Sequence, residues 1–245
     1  MFENYELEIL YQDKYIVVIN KPSGLLVHKS MIDRHEIYFA MKILRDQIRQ
    51  FVYPIHRLDK PTSGVLLFAL DKESARLMSE QFRDRKTQKK YLAVVRGYTK
   101  ESGVINHALK DKLDKIADKN ASKDSEPKEA ISEYKTLSHV ELPFAVGSYD
   151  TTRYSLVEVT LKTGRKHQIR RHMKHISHHL LGDTKYGRGE HNQFIRKQFN
   201  CHRMLLHAHS LRIFHPYREE FLTFSASLDE TFESIFSSFS WKIDF

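Results

Sequence analysis

The segment His56-Arg57-Leu58-Asp59-Lys60-Pro61-Thr62-Ser63-Gly64 sets one carboxylate between two cations in a loop punctuated by Pro61 and Gly64. A neighbouring cation typically lowers a carboxyl pKa by about 1–3 units, so Asp59 is expected to be ionised at neutral pH. An ionised carboxylate held in place is a nucleophile or a base. An ordinary loop aspartate, in a local ion pair or an Asx turn, would carry the same neighbours. A second group is Thr163-Gly164-Arg165-Lys166-His167-Gln168-Ile169-Arg170-Arg171-His172. Ile169, Met173 and Ile176 follow its glycine at helical spacing and predict a helix from Arg165 or Lys166, with an N-terminus favourable to anions. A third is Lys90-Tyr91, where the basic run from Arg83 meets an apolar stretch. A ring so placed can stack on an unpaired base, a contact worth about 1–3 kcal/mol, or it can be a plain strand tyrosine.

The elements that must position these groups are legible as patterns. Val65–Leu70 is nearly all apolar and predicts a buried strand fed by the Asp59 loop. Leu7–Tyr11 and Tyr15–Asn20 flank a short turn and predict a hairpin, and Lys21-Pro22-Ser23-Gly24-Leu25-Leu26-Val27-His28 then reads as a turn and short strand. Lys21 and His28 are weak functional candidates in their own right. Asp33 and Glu36 have capping-box spacing before Ile37, Ala40, Met41, Leu44 and Ile48, which predicts a helix over 34–50. Asp71 caps a second helix over 72–85, and Tyr91–Arg96 returns as a strand. Further strands are expected at Ile131–Leu137, Arg153–Leu161 and Phe221–Phe224. Asp229 caps a last helix that packs Phe232, Ile235, Phe236 and Phe239.

The composition limits the partners. Of the net charge of +9, +8 lies between Arg165 and Glu220, a stretch that also carries 10 of the 15 histidines. A polyanion is the natural partner of such a face, although a solvated basic surface would look the same. Cys201 is the only cysteine, which excludes an intramolecular disulfide and a cysteine zinc cage and suits a reducing cytoplasm. No apolar run approaches the roughly 20 residues of a membrane helix, so a soluble, unexported protein is expected. The length fits one large domain or two small ones, and we read a single domain over 1–245 with a charge-balanced insertion at 110–129. The histidines suggest a metal, but surrounding Arg and Lys charges oppose a cation, and His167 and His172 do not share a helix face. No metal is expected.

Taken in order, these segments resemble the RluA family of pseudouridine synthases: HRLDKPTSG with its HRLD motif, a KPxGLxVH segment, Lys90-Tyr91, the GRxHQIRxH motif, and the Leu205–Pro216 run. The resemblance covers about residues 7–224. It implies an α+β fold with a central mixed, mostly antiparallel sheet, helices around it and a catalytic cleft across it. It also implies that Asp59 is the catalytic residue, Tyr91 the active-site tyrosine, and Arg170 the partner of Asp59. Arg57, Lys90, Arg165, Lys166, His167 and Arg171 are the expected RNA contacts, with Arg57 a candidate to fill the place of a displaced base. The resemblance starts so near the N-terminus that the S4-type domain of some relatives is expected to be absent, and the chain carries the charged insertion. Both details are similar to a branch that modifies tRNA at uridine 65.

The implied reaction breaks the N1–C1′ bond of uridine, turns the uracil and rejoins it through C5, which requires no cofactor. A cytoplasmic monomer acting on tRNA is expected. Ribosomal RNA as substrate, a non-catalytic RNA-binding protein, and a metal-dependent RNA hydrolase are the alternatives.

Overall fold

The computed structural model describes residues 2, 5–29, 36–110 and 126–242. Most of the insertion expected at 110–129, and the expected cap Asp33, lie outside the described residues. The chain divides into two compact units, Met1–Lys89 with Ala108–Lys128 and Ala208–Ser227, and Lys90–His107 with Glu129–His207 and Leu228–Phe245.

In the first unit, strands β1 (Glu8–Gln12) and β2 (Ile16–Lys21) form the expected hairpin. Asp13 makes its turn, accepting from the amides of Tyr15 at 2.7 Å and Ile16 at 2.8 Å. Antiparallel to β2 runs β4 (Ser63–Ala69), buried along its whole length, and the two-residue β3 (Tyr53–Pro54) lies on its end. The pair β9 (Leu206–His215) and β10 (Glu220–Ser225) completes the sheet from Ala208 onward. Alternation along these strands sends Ile16, Val18, Val65, Leu67, Leu211 and Ile213 into one core with Met78. Met78 belongs to α2 (Lys72–Arg83), where Asp71 caps the Ser74 amide at 2.8 Å as expected.

Helix α1 (Ala40–Ile48) is shorter than the 34–50 expected, because Glu36, Ile37 and Tyr38 are not helical. Its first amides are met by another segment rather than by a side-chain cap. The Ala40 and Met41 N–H groups donate to the carbonyls of Leu26 at 2.8 Å and Val27 at 3.0 Å, which fixes the start at Phe39.

In the second unit the strand order is β5 (Gln88–Arg96, from Lys90), β8 (Thr152–Leu161), β7 (Ile131–Leu142) and β6 (Ser102–Asn106), each pair antiparallel. Helices α3 (Gln168–His175), α4 (Gly189–Phe199) and α5 (Glu230–Ser238) belong to the same unit. The α5 residues Phe232, Ile235 and Phe236 join Leu92, Tyr154 and Leu205 in its core, as their spacing predicts. Trp241 closes that core edge-on to Phe239 at 5.0 Å, its indole N–H donating to the His139 carbonyl at 3.2 Å. No described helix is long and apolar enough to cross a membrane.

Candidate active site

The loop that presents Asp59 is built from both ends of the first unit's early sequence. The Thr62 amide returns to the Asp59 carbonyl at 3.0 Å, closing a turn over Lys60 and Pro61. The Lys21-Pro22-Ser23-Gly24 segment grips this turn: the Gly24 amide donates to the Lys60 carbonyl at 2.8 Å and the Ser23 hydroxyl to the Pro61 carbonyl at 2.9 Å. Gly64 ends the loop at φ +109, and any Cβ there would collide with the Ala208 carbonyl of β9. Asp59 is therefore carried on a short, multiply tied loop directly ahead of a fully buried strand.

Lys21 is the residue whose role sequence patterns understated. It is completely buried, and its ammonium donates to the carbonyls of Pro22 and Leu25, both at 2.8 Å, and of Lys60 at 3.3 Å. The signal available was a lysine ending the run Ile16-Val17-Val18-Ile19-Asn20, where a solvated side chain is out of place. Lys21→Met would take this donor from all three carbonyls, the Lys60 carbonyl keeping its bond from the Gly24 amide. The expected loss is about 2–4 kcal/mol of unfolding free energy by urea titration, and an unchanged midpoint would refute the assignment.

Around the loop, Lys60 pairs with Glu36 at 2.7 Å, while Arg57 is exposed. Burial and the Arg57 charge both lower the pKa of His28, so the Lys21–His28 and His56–Gly64 motifs meet in space. His56 points the other way. Its Nε2 accepts from the Leu67 amide at 3.1 Å and its ring stacks on Phe82 at 4.8 Å. Burial, assisted by the Lys89 charge, pushes its pKa down to about 3, so the imidazole is a neutral acceptor at any physiological pH.

The remaining expected site residues belong to the second unit. Tyr91 is buried in β5, and Lys90 pairs across to Glu158 of β8 at 3.0 Å. Arg170 and Asp183 form a buried two-pronged ion pair, Nε to Oδ2 at 2.7 Å and Nη2 to Oδ1 at 2.8 Å. Burial would raise the Asp183 carboxyl, but the guanidinium and the amides of Tyr186 and Lys185 hold it below the usual carboxylate range. The Arg170 guanidinium also lies 5.1 Å over the Tyr186 ring, whose hydroxyl contacts His167 Nδ1 at 3.0 Å.

The helix expected from Arg165 or Lys166 begins later, at Gln168, because His167 adopts a left-handed conformation at φ +56. The helix has no side-chain cap; the Gln168 side chain instead ties its first residue to the preceding loop and to β7, its Oε1 accepting from the Arg165 amide at 2.9 Å and the Thr163 hydroxyl at 2.8 Å and its Nε2 donating to the Ile131 carbonyl at 3.0 Å. Arg165 in turn donates to the Glu129 carbonyl at 3.0 Å, Lys166 is exposed, and Arg171 is half-buried. His172 ties Ser132 Oγ at 2.9 Å to the His107 carbonyl at 3.0 Å, and His107 stacks on His175 at 3.7 Å. Among the described residues no three His, Cys, Asp or Glu side chains are grouped to hold a metal ion.

Residues 15–175 match the model of RNA pseudouridylate synthase, and the chain belongs to that family of RNA uridine isomerases. The curated relatives include tRNA pseudouridine synthase C of Vibrio parahaemolyticus, 53% identical over 96% of both chains. The protein of the same name from Haemophilus influenzae is 52% identical over 96% of this chain and 99% of its own. Among solved structures, human RNA Pseudouridylate Synthase Domain Containing 4 is 28% identical with a TM-score of 0.69, covering 95% of this chain and 93% of that one. The pseudouridine synthase α+β fold expected from the motifs is thus the fold of this protein.

Proposed function

We propose that the chain converts uridine to pseudouridine in tRNA, at position 65, as a cytoplasmic monomer. The observation that carries the reading is the near-complete coverage of relatives named tRNA pseudouridine synthase C at 53% identity. Asp59 attacks the nucleotide or removes a ribose proton, and the N1–C1′ bond breaks. The uracil turns and C5 bonds to C1′ as the bond to Asp59 breaks or, on the second route, as Asp59 returns the proton to the ribose; the C5 proton leaves as N1 takes one up, so the product is an isomer of the substrate and Asp59 is regenerated. Arg170, with Asp183 fixing its guanidinium plane, supports Asp59 in the reaction, and Tyr91 stacks on the turning base. A stem uridine must first leave its stack at a cost of a few kcal/mol, and the exposed Arg57 takes the vacated place. Lys90, Arg165, Lys166, His167 and Arg171 contact the RNA backbone.

The test is tritium release from tRNA transcripts labelled at uridine C5, followed by mapping of the modified position. Release confined to position 65 supports the full reading, release from tRNA elsewhere overturns the position, and release from ribosomal RNA alone overturns the substrate. Phosphate contacts also make tRNA affinity salt-dependent, with a log–log slope of about 0.7–0.9 per phosphate neutralised. Affinity that is flat from low to moderate salt would refute the backbone contacts.

A further inference from the structure

Among the described residues, Lys89 is a cation with nothing to neutralise it. The period of two in β5 sends Lys90 to Glu158 and Lys89 to the opposite face, toward α2. There the half-buried side chain sets its ammonium 5.8 Å over the ring of Phe82. Among the described residues it has neither a carboxylate nor a hydrogen-bond acceptor. The nearby Asp84 is engaged by Arg83 at 3.5 Å and Lys86 at 3.7 Å. The other charge felt at Lys89 is that of Arg85, which is of like sign and, with burial as the larger cause, lowers the Lys89 pKa. Phe82 in turn stacks on His56, the first residue of the motif that carries Asp59. A half-buried ammonium with no counter-charge among the described residues costs desolvation that no partner offsets. Its retention beside the Asp59 loop therefore calls for an anion that arrives from outside.

We propose that Lys89, supported by Arg85, is a binding site for one phosphodiester of the substrate RNA strand beside the Asp59 loop. The proposal rests on the RNA-modifying function above and adds a residue that the basic run concealed: five basic side chains against one acidic lie between Arg83 and Lys90. Lys90, the more obvious choice by its place before Tyr91, has its charge met by Glu158, whereas Lys89 does not. The phosphate supplies the missing counter-charge, and the aromatic pair Phe82–His56 forms the floor that holds the ammonium in position.

The experiment compares wild type, Lys89→Met and Lys89→Arg by affinity for an unmodified tRNA transcript across a salt series, with thermal unfolding measured alongside. Lys89→Met is expected to weaken binding roughly five- to tenfold at low salt and to reduce the log–log slope by about 0.7–0.9, one phosphate's worth. Lys89→Arg should restore the slope. The unfolding temperature of Lys89→Met should equal or exceed that of wild type, as expected when an unpaired half-buried cation is removed. An unchanged slope overturns the proposal, whatever the stability. A lower unfolding temperature with an unchanged slope would instead make Lys89 a structural support for Phe82. Because the readout is binding, it stands apart from the tritium assay: wild type that binds tRNA but releases no tritium would sink the catalytic reading and leave the phosphate site to be judged by its slope.

Discussion

Asp59→Asn is expected to lower tritium release from C5-labelled tRNA by roughly 10⁴-fold or more while leaving tRNA affinity within a few-fold of wild type. Asparagine is nearly the same size, so the turn closed by the Thr62 amide and gripped by Lys21, Ser23 and Gly24 is retained. What disappears is the charge and the lone pair that can attack carbon or take a proton. The reaction has no second reagent in the proposed mechanism, since water and redox equivalents are neither consumed nor produced. Normal turnover by Asp59→Asn would sink the assignment of Asp59. Equal loss of binding and turnover would place Asp59 in substrate recognition rather than in the chemistry.

The largest expected effect on stability belongs to Asp183→Asn. Arg170 and Asp183 are 6% and 0% exposed at their side chains, so the substitution leaves a buried guanidinium without its counter-charge. Breaking such a pair from one side typically costs about 3–5 kcal/mol, far more than the pair contributes when compared with an apolar replacement. Urea unfolding of the two proteins gives the difference directly, and a loss under about 1 kcal/mol would contradict the buried pairing. The pH dependence has a definite sign. The Asp183 pKa is depressed in the folded state, so its stabilisation is complete above the ordinary carboxyl pKa of about 3.9 and is lost as pH falls through the lower folded value. Asp183→Asn should therefore lose less stability than wild type over that acidic interval.

Where one side of an element was uniformly apolar or capped by an unambiguous residue, its place could be read from the chain. Val65–Leu70, the Asp71 cap and the Phe232–Phe239 stripe are of this kind, and each corresponds to an element found. The elements that escaped are those whose identity depends on a distant partner. The two-residue β3 contains a proline and exists because β4 offers it an edge; β6 is largely polar and is held by β7; α4 opens on glycine and lacks a side-chain cap. The start of α1 was misplaced because its amides are satisfied by Leu26 and Val27 rather than by a local cap. For the site, residue types alone left the Asp59 loop open to an ordinary ion pair, and the basic segment around Arg170 open to a plain basic helix; it was the resemblance that singled out these two residues. The buried supports were not legible. Asp183 sits among ordinary turn residues, and Lys21 resembles any surface lysine until burial and partners are known.

The position of Trp241 has a spectroscopic consequence. It is the sole tryptophan, packed against Phe236 and Phe239 in the second unit, and the first unit contains no indole. Intrinsic tryptophan emission therefore follows the opening of the α5 aromatic cluster. Loosening of the unit that carries Lys21 and Asp59 is silent to that probe. A denaturation curve read by tryptophan emission alone assigns its midpoint to one unit, and circular dichroism or tyrosine emission must be recorded beside it to follow the other.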